Sequence, residues 1–280
     1  MRTARMVLVE WLHGCIAAFQ FLTRLPISVQ IEYTDQVFRR SVVFYPFVGL
    51  VIGCLLLLAG EGLRFLFPPL PAAVLLLGCW VVLTGGLHLD GLMDTADGIL
   101  SHRSREQMLE IMKDSRVGAM GVIVCVLHLM LKFALLYSIL GSDRSGGWEA
   151  ASVLLVIVPI WSRWFMVVAI HGWPYARGES GLGSLFRGVN KRVVTLSTIA
   201  ALLFTTLVSV LGNGRLSATI QNVPLWAIIG GFAVVTWLAG YVIATYISRK
   251  LGGLTGDTYG ALNELLEVWL LLGVTALFYW

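Results

Sequence analysis

The sequence predicts an all-α, polytopic integral membrane protein in which one helical bundle occupies residues 1–280. Of the 280 residues, 58% are hydrophobic and only 13% are charged, and the mean hydropathy is +0.83. Apolar runs of about twenty residues recur along the whole length, and this is the length that a helix needs to cross a bilayer. Because no internal repeat and no polar domain interrupts the pattern, we expect a single membrane domain of about seven spans.

The first apolar segment, residues 6–23, differs from the later ones because polar residues interrupt it. Glu10, His13 and Gln20 are spread among its apolar residues, a pattern typical of a helix that lies in the interface or re-enters the membrane. Pro26 ends this helix, since a proline disfavours helical backbone in the residue before it. The segment also lacks the continuous apolar stretch of a signal peptide, so we expect it in the mature protein.

Seven longer apolar segments follow, and polar or glycine-rich intervals separate them. Their predicted limits are residues 42–60, 70–87, 119–140, 150–170, 193–211, 225–247 and 262–280. The intervals richest in candidate functional residues are 88–118, 171–192 and 248–261. Within the first interval, residues 105–114 place apolar side chains on one helical face, which predicts an amphipathic helix at the membrane surface.

The distribution of basic residues predicts the orientation of the chain. Fifteen Lys and Arg residues fall in the N-terminal region and in the three intervals just named, whereas the opposite loops carry three. The positive-inside rule places the richer side in the cytoplasm, so the three intervals would share one cytoplasmic face. This asymmetry explains the net charge of +4 and the pI of about 9.0, and we expect no nucleic-acid partner.

The strongest functional signal is residues 85–98, with the sequence GGLHLDGLMDTADG. Asp90, Asp94 and Asp97 are spaced by four and three residues, so a helix would place the three carboxylates on one face. Adjacent anions at the mouth of a membrane segment repel one another unless a cation neutralises them. Mg²⁺ prefers such oxygen ligands and often holds a phosphate group in turn. We therefore predict a metal–phosphate site, although helix capping would account for one aspartate.

Further candidates lie beside this cluster and at the end of the same interval. His88 is interpreted either as a base or substrate ligand, or as a hydrogen-bonded structural histidine. In KDSRVGAMG, residues 113–121, Asp114 is a candidate fourth metal ligand, and Lys113 and Arg116 are candidates for binding phosphate oxygens. Anchoring of the chain at the membrane surface by the two basic residues explains the same pattern equally well.

The other two intervals add a basic and an acidic candidate group. Residues 175–188 are rich in glycine and, with Arg177 and Arg187, are suited to cradle a phosphate, whereas a flexible connection is the alternative. Asp257 and Glu264 lie seven residues apart, on one face of a helix that would begin near the first of them. We interpret this pair as a second acidic half-site, although Asp257 alone also fits a helix cap.

Two cations lie inside predicted spans. Arg163 is about eight residues from the cytoplasmic end of its span, and a charge at that depth must face the protein interior or a wet cavity. We predict that it binds a phosphate or pairs with one of the aspartates. Lys132 lies nearer the opposite face, where its long stem can reach the surface, and we interpret it as structural.

Taken together, these motifs resemble the adenosylcobinamide-GDP ribazoletransferase family, also called cobalamin synthase. Six blocks that cover nearly the whole chain occur in the order and spacing typical of that family: FLTRLP, FYPFVG, GGLHLDGLMDTADG, LEIMKDSRVGAMG, YARGESGLG and LGGLTGDTYGA. The third and the last blocks are the most specific. The chain departs from the pattern at Leu89, where many members carry an acid, and at Met93, where many carry a small residue.

The resemblance implies a multi-pass enzyme of the bacterial inner (cytoplasmic) membrane. Such an enzyme joins α-ribazole, or its 5′-phosphate, to adenosylcobinamide-GDP and releases GMP, which assembles the nucleotide loop of cobalamin. The lipid bilayer is its setting, and the resemblance also allows a homo-oligomer and association with other late enzymes of the pathway.

The resemblance also implies roles for the candidate residues. The Mg²⁺ ligands would be Asp90, Asp94 and Asp97. The acids that complete this shell or activate the attacking hydroxyl would be Asp114 and Asp257. The side chains that bind phosphate oxygens would be Arg116, Arg163 and Arg177. Such a transfer depends on in-line positioning and on neutralisation of phosphate charge by the metal and basic side chains.

The aspartate cluster alone also fits a CDP-alcohol phosphotransferase-like or a UbiA-like membrane transferase, both of which use clustered aspartates and Mg²⁺. The first would continue with further aspartates, and the second would carry two matching aspartate-rich loops. A secondary transporter would show inverted repeats and acids near the middle of the membrane. We find none of these patterns in the sequence.

Overall fold

The computed structural model describes residues 4–141, 147–178, 185–186, 188–219 and 224–279. Over these residues the chain consists of helices and their connections, with one isolated bridge between Tyr175 and Leu254, which confirms the predicted all-α class. The helices are α1 (Ala4–Leu22), α2 (Asp35–Ser41), α3 (Tyr45–Leu66), α4 (Pro69–Thr84), α5 (Leu87–Leu100), α6 (Arg105–Ile111), α7 (Ala119–Leu140), α8 (Gly147–Gly172), α9 (Lys191–Leu211), α10 (Asn213–Thr219), α11 (Leu225–Leu251) and α12 (Gly256–Tyr279).

Within the described part of the chain, six helical segments are long and apolar enough to cross a membrane by themselves. A seventh crossing exists if α4 and α5, which are bent by 89° at their junction, count as one broken span. The apolar part of α1, Val7–Leu22, is shorter than these segments. This architecture agrees with the predicted bundle of about seven spans that follows a shorter N-terminal helix.

The predicted limits match α7, whereas α3 continues to Leu66 rather than 60 and both helices around the last polar interval extend into it. There α11 continues to Leu251 rather than 247, and α12 begins at Gly256 rather than 262. The early start is explained by reciprocal capping: the Thr258 hydroxyl accepts from the N–H of Thr255 at 2.8 Å, and the Thr255 hydroxyl accepts from the N–H of Thr258 at 3.3 Å. Because hydropathy does not detect polar caps, the prediction began this helix too late.

The junction of α4 and α5 sets the direction of the aspartate-rich helix. Gly85 and Gly86 have φ angles of 64° and 71°, in the left-handed region that glycine adopts without strain, so α4 ends at Thr84 rather than at 87. Arg24 packs against Gly85, and its backbone N–H donates to the carbonyl of Leu83 at 2.8 Å. The turn therefore sends α5 nearly perpendicular to α4.

Helix α8 is the centre of the bundle. Its most apolar stretch is 89% buried, against 28% for α7, 22% for α9 and 28% for α11. The outer helices therefore present most of their apolar surface to lipid. On the inner side, α3 approaches α8 closely because Gly49 and Gly53 lie directly against the backbone of Pro159 and Val156.

Two shorter helices pack on the ends of the long ones. An ion pair between Glu10 and Arg40 joins α1 to α2, which gives the polar residue in α1 a partner. Helix α6 confirms the predicted amphipathic segment: Met108 is buried, and Arg105 Nε donates to the carbonyl of Leu251 at 2.7 Å. This hydrogen bond fastens α6 to the end of α11.

Candidate active site

The aspartate-rich helix α5 crosses α12 through a contact that only glycine permits. A Cβ at Gly91 would lie 2.5 Å from the carbonyl oxygen of Asp257, and one at Gly260 would lie 3.2 Å from the Cα of His88. Without side chains at these two positions, the two backbones can touch. The contact brings Asp90 and Asp257, the first acids of the two helices, to one cavity.

This cavity has a volume of about 240 Å³. Four of the predicted site residues line it: His88, Asp90, Arg177 and Asp257. The remaining lining residues were not predicted individually as site residues, and they are mostly aromatic or apolar. The aromatic ones are Phe21, Tyr45, Tyr175, Phe186 and Tyr259.

The cavity is also where the conspicuous sequence motifs meet. Five of the six blocks supply lining residues. The remaining block, LEIMKDSRVGAMG, reaches the cavity indirectly, because the carbonyl of Met112 accepts a hydrogen bond from Arg177 Nη2 at 3.1 Å. Motifs spread from residue 21 to residue 260 therefore build a single site.

A short backbone bridge holds Arg177 against Asp257. The N–H of Ala176 donates to the carbonyl of Leu254, and the N–H of Leu254 donates to the carbonyl of Pro174, both at 2.8 Å. These bonds join the connection after α8 to the segment before α12. Arg177 Nη2 then lies 2.7 Å from Asp257 Oδ2, so the guanidinium is fixed at the edge of the acidic group.

Around the cavity, carboxylates outnumber cations. Asp94 is partly buried and interacts electrostatically with the carboxylates of Asp90, Asp97 and Asp257, whereas Arg177 is the cation that offsets this repulsion. Among the described residues, four carboxylates lie near one guanidinium, and this excess of negative charge would be relieved by a bound cation.

The donor set fits a metal ion that is shared with a ligand. Among the described residues, no three His, Cys, Asp or Glu side chains lie close enough together to form a metal shell by themselves. Mg²⁺ usually takes only one or two protein carboxylates and fills the rest of its shell with water and substrate phosphate. The group formed by Asp90, Asp94 and Asp257 is compatible with that kind of binding.

Asp97 differs from the other aspartates of α5 because backbone groups of α7 use both of its oxygens. Oδ2 accepts from the N–H of Gly118 at 2.8 Å, and Oδ1 accepts from the N–H of Gly121 at 2.7 Å. The carboxylate thereby caps the start of α7, where unpaired N–H groups and the helix dipole favour an anion. The three aspartates lie on the predicted helix, but of the three only Asp90 lines the cavity.

Asp114 and Arg116 pair with each other on an exposed turn. Arg116 Nε and Nη2 donate to the two carboxylate oxygens at 3.0 and 2.6 Å, and these hydrogen bonds lower the pKa of Asp114 to about 2. Neither residue lines the cavity. The structure therefore does not bring Asp114 or Arg116 to the predicted metal–phosphate site, and Lys113 is exposed on the same turn.

The predictions for Arg163 and Glu264 need correction, because both residues belong to a buried ion-pair network. Glu264 Oε2 lies 3.0 Å from Lys132 Nζ and 2.8 Å from His128 Nε2. Glu267 pairs with both Lys132 and Arg163. None of the five side chains is more than 5% exposed. Because these groups neutralise one another away from the cavity lining, Arg163 is not a phosphate ligand here and Glu264 is not part of a second acidic half-site.

Lys132 is structural, as predicted, but its side chain does not reach the membrane surface. Its ammonium group is buried between the two glutamates and lies 4.1 Å from the centre of the Trp80 ring. The network pairs two carboxylates with two basic side chains, so the buried charges balance. The partners come from α7, α8 and α12, and no local spacing in the sequence links them.

His88 connects the cavity to this network. Its Nδ1 lies 2.9 Å from Asn263 Nδ2, which also donates to Glu267 Oε1 at 3.2 Å. The ring is buried and lines the cavity, and its Nε2 has no hydrogen-bond partner among the described residues. Nδ1 is therefore held by a hydrogen bond, as predicted for a structural histidine, whereas Nε2 is available to a ligand.

Part of the glycine-rich segment after Arg177, residues 179–184 and 187, lies outside the described residues. The predicted phosphate cradle in that segment therefore stays a prediction. Phe186, which belongs to the same segment, is described, and its buried ring forms part of the cavity wall.

The fold and the site define a polytopic membrane protein whose long helices surround an acidic cavity with aromatic walls. The chain belongs to the CobS family, since the family model described as Cobalamin-5-phosphate synthase matches residues 14–275. This result confirms the resemblance noted in the sequence.

Curated relatives agree with the family assignment over almost the full length of the chain. A protein of Desulfitobacterium hafniense (strain Y51), named adenosylcobinamide-GDP ribazoletransferase, is 41% identical over 94% of this chain and 96% of its own length. Proteins with the same name from Desulforamulus reducens and Roseiflexus sp. (strain RS-1) are 39% and 37% identical, over 91% and 90% of this chain and 92% and 85% of their own lengths. No solved structure matches the chain. These matches do not favour the CDP-alcohol phosphotransferase-like or UbiA-like alternatives.

Proposed function

We propose that this chain is an adenosylcobinamide-GDP ribazoletransferase that joins α-ribazole, or its 5′-phosphate, to adenosylcobinamide-GDP in cobalamin biosynthesis. A ribose hydroxyl of the ribazole would attack the diphosphate, forming one P–O bond while the P–O bond to the departing GMP breaks. The observation that carries the proposal is the convergence of the family's motif blocks on one acidic cavity. The names of the relatives supply the substrates.

Asp90, Asp94 and Asp257 are the residues that would hold Mg²⁺, together with phosphate oxygens of the substrate. When bound, the ion would neutralise charge on the diphosphate and on the departing GMP. The excess of carboxylates around the cavity supports this assignment, because a diphosphate would not approach these anions without a cation.

The protein groups would share the remaining tasks. Arg177 is held rigidly beside Asp257 and would bind a phosphate oxygen with the guanidinium edge that faces the cavity. Asp257 lines the cavity next to it and would accept the proton of the attacking hydroxyl when it is not engaged with the metal. Asp97 would act indirectly, because it fixes α5 against α7.

The site would face the cytoplasm across the bacterial inner membrane. The asymmetric distribution of Lys and Arg supports this orientation, since the intervals that contain Asp90, Arg177 and Asp257 lie on the basic side. Nucleotides and phosphorylated metabolites are available on that side.

The test is an assay of the purified protein in detergent or liposomes, supplied with adenosylcobinamide-GDP, α-ribazole and Mg²⁺. We expect release of GMP together with a joined corrinoid product, loss of both with EDTA, and recovery when Mg²⁺ is added back. The Arg177→Lys variant should release GMP more slowly, because a lysine cannot make the same bidentate contact with a phosphate group. Folded protein that releases no GMP with either ribazole or its 5′-phosphate would overturn the proposal.

A further inference from the structure

The aromatic part of the cavity has features of a built binding site for a flat ring. Phe186 lies with its ring centre 5.9 Å from that of Phe21 and 6.5 Å from that of Tyr45, so three rings from separate elements form one wall. All three residues line the cavity, and Asp90 and Asp257 line the same space. A ligand that fills it would therefore contact aromatic rings at one part and carboxylates at another.

One buried polar atom indicates that the occupant is not purely apolar. His88 is 2% exposed and lines the cavity. Its Nε2 has no hydrogen-bond partner among the residues that the structure describes. Because a buried polar atom without a partner is costly, this nitrogen points to a ligand that supplies one.

The contacts of His88 determine which of its nitrogens carries the proton. Glu267 pairs with Lys132 and Arg163, so its carboxylate can only accept hydrogen bonds. Asn263 must therefore direct its amide N–H₂ group toward Glu267, and the same group donates to His88 Nδ1. With Nδ1 as an acceptor, the neutral ring carries its proton on Nε2, which becomes a hydrogen-bond donor for the ligand.

We propose that this aromatic pocket binds the heterocyclic base of the ribazole substrate, with His88 Nε2–H donating to the free ring nitrogen of the base. The inference rests on the proposed function and assigns the place of one of its two substrates. Ribazole carries a dimethylated bicyclic base with a single free ring nitrogen, which matches an aromatic wall and one fixed donor. Its ribose would then lie toward Asp90 and Asp257, where the hydroxyl reacts.

The other rings of the two substrates fit the pocket less well. The corrin macrocycle is too large for a cavity of about 240 Å³. Guanine has donors and acceptors along most of its edge, and the aromatic wall leaves several of them unpaired, because the carboxylates of Asp90 and Asp257 are assigned to the metal and the ribose. The guanosine part of adenosylcobinamide-GDP is therefore expected outside the aromatic pocket.

The first test measures binding of α-ribazole to the full-length protein in detergent by equilibrium dialysis, with EDTA present and no corrinoid. We expect the Phe186→Ala variant to bind about 10-fold more weakly, the order of magnitude for loss of one aromatic stacking partner of a base. The matched control is Phe133→Ala, because Phe133 stacks on Tyr137 in α7 and does not line the cavity. Guanosine should not compete.

The second test pairs a change in the ligand with a change in the protein. An indole riboside, in which a C–H group replaces the free ring nitrogen, should bind the wild type about 10-fold more weakly than the benzimidazole riboside. The His88→Leu variant should bind the two ribosides equally, and an Asn263→Leu variant should lose most of the preference because the ring is no longer oriented. If Phe186→Ala does not fold, Phe21→Leu replaces it.

The outcomes separate this inference from the proposed function. The pocket assignment is overturned if folded Phe186→Ala protein binds α-ribazole as tightly as the wild type does. It is also overturned if guanosine competes for the site as well as α-ribazole itself, even when GMP release is intact. A preference for the benzimidazole riboside that survives in His88→Leu would overturn the role of His88. Ribazole binding with the expected sensitivity, but without GMP release, would overturn the proposed function alone.

Discussion

Two acidic regions lie near each other in this protein, and they are organised in opposite ways. Around the cavity, Asp90, Asp94 and Asp257 are exposed or partly buried, and in the part of the chain that the structure describes they share one guanidinium, that of Arg177. Within the helices behind it, Glu264 and Glu267 are completely buried and have a full set of cationic partners. Among the described residues, the first region therefore carries more negative than positive charge, whereas in the second region the two are equal.

The difference shows that an acid in an apolar helix is not by itself a sign of a ligand site. A buried glutamate that is neutralised by Lys132 and Arg163 is a structural element, and removing one partner leaves an uncompensated charge. An aspartate cluster with too few cations is poised to bind one. Asn263 connects the two regions, because it is hydrogen-bonded both to Glu267 of the buried network and to His88, which lines the cavity.

The largest effect on stability is expected from Glu267→Gln. This change leaves Arg163 and Lys132 buried with one carboxylate fewer, and breaking a buried pair in this way costs about 3–5 kcal/mol. Thermal unfolding in detergent should show a much lower midpoint. The double variant Glu267→Gln with Lys132→Met should recover part of the loss, whereas a single variant as stable as the wild type would contradict the network.

The largest effect on turnover is expected from Asp90→Asn. The change should slow GMP release by about 100- to 1,000-fold, as loss of one charged group at a polar reaction site does elsewhere. Because Asp90 is exposed and surrounded by other carboxylates, the unfolding midpoint should not fall. A slow variant with a much lower unfolding midpoint would mean that Asp90 stabilises the fold, as Glu267 does, rather than serving the reaction.

An intermediate effect is expected from Gly91→Ala. The new Cβ would lie 2.5 Å from the carbonyl oxygen of Asp257, so α5 and α12 must separate. Such overpacking typically costs about 1–3 kcal/mol and should also lower turnover, because it moves Asp90 away from Asp257. Gly62→Ala is the matched control, since nothing lies within 4 Å of the added Cβ. Equal behaviour of the two variants would argue against the close helix crossing.

The smallest effect is expected from Asp114→Asn. Among the described residues Asp114 pairs with Arg116 on an exposed turn, and its low pKa of about 2 keeps it charged throughout the usual assay range. GMP release should stay within about twofold of the wild-type rate, because exposed pairs contribute little. A loss of turnover comparable with that of Asp90→Asn would show that Asp114 does contribute to the metal–phosphate site.

Local patterns predicted much of this molecule. Hydropathy predicted the first and last residues of α7 correctly. The aspartate spacing predicted that Asp90, Asp94 and Asp97 lie on one helix, which is α5. The glycines at 85 and 86 and the threonine caps at 255 and 258 shifted helix limits, since they act through backbone geometry that hydropathy does not record. The glycine–aspartate blocks were identified, and their packing against each other explains why both contain glycine.

What the sequence could not show depends on contacts between distant segments. Arg163 and Glu267 are 104 residues apart, and Lys132 and Glu267 are 135 apart, so spacing gave no indication that they pair. The pairing of Asp97 with the start of α7 was hidden for the same reason. The aromatic wall was missed because Phe21, Tyr45 and Phe186 lie in three separate segments, and the motifs that contain them do not show which side chains meet in the fold.

The most direct test of the contrast between the two regions is a Mg²⁺ titration of GMP release in three proteins: wild type, Asp257→Asn and Asp114→Asn. The Mg²⁺ concentration for half-maximal rate should rise by at least about 10-fold in Asp257→Asn, because one carboxylate of the unbalanced group is lost. It should be unchanged in Asp114→Asn. Identical Mg²⁺ dependence in all three proteins, or no dependence at all, would contradict the assignment of the cavity as a metal–phosphate site.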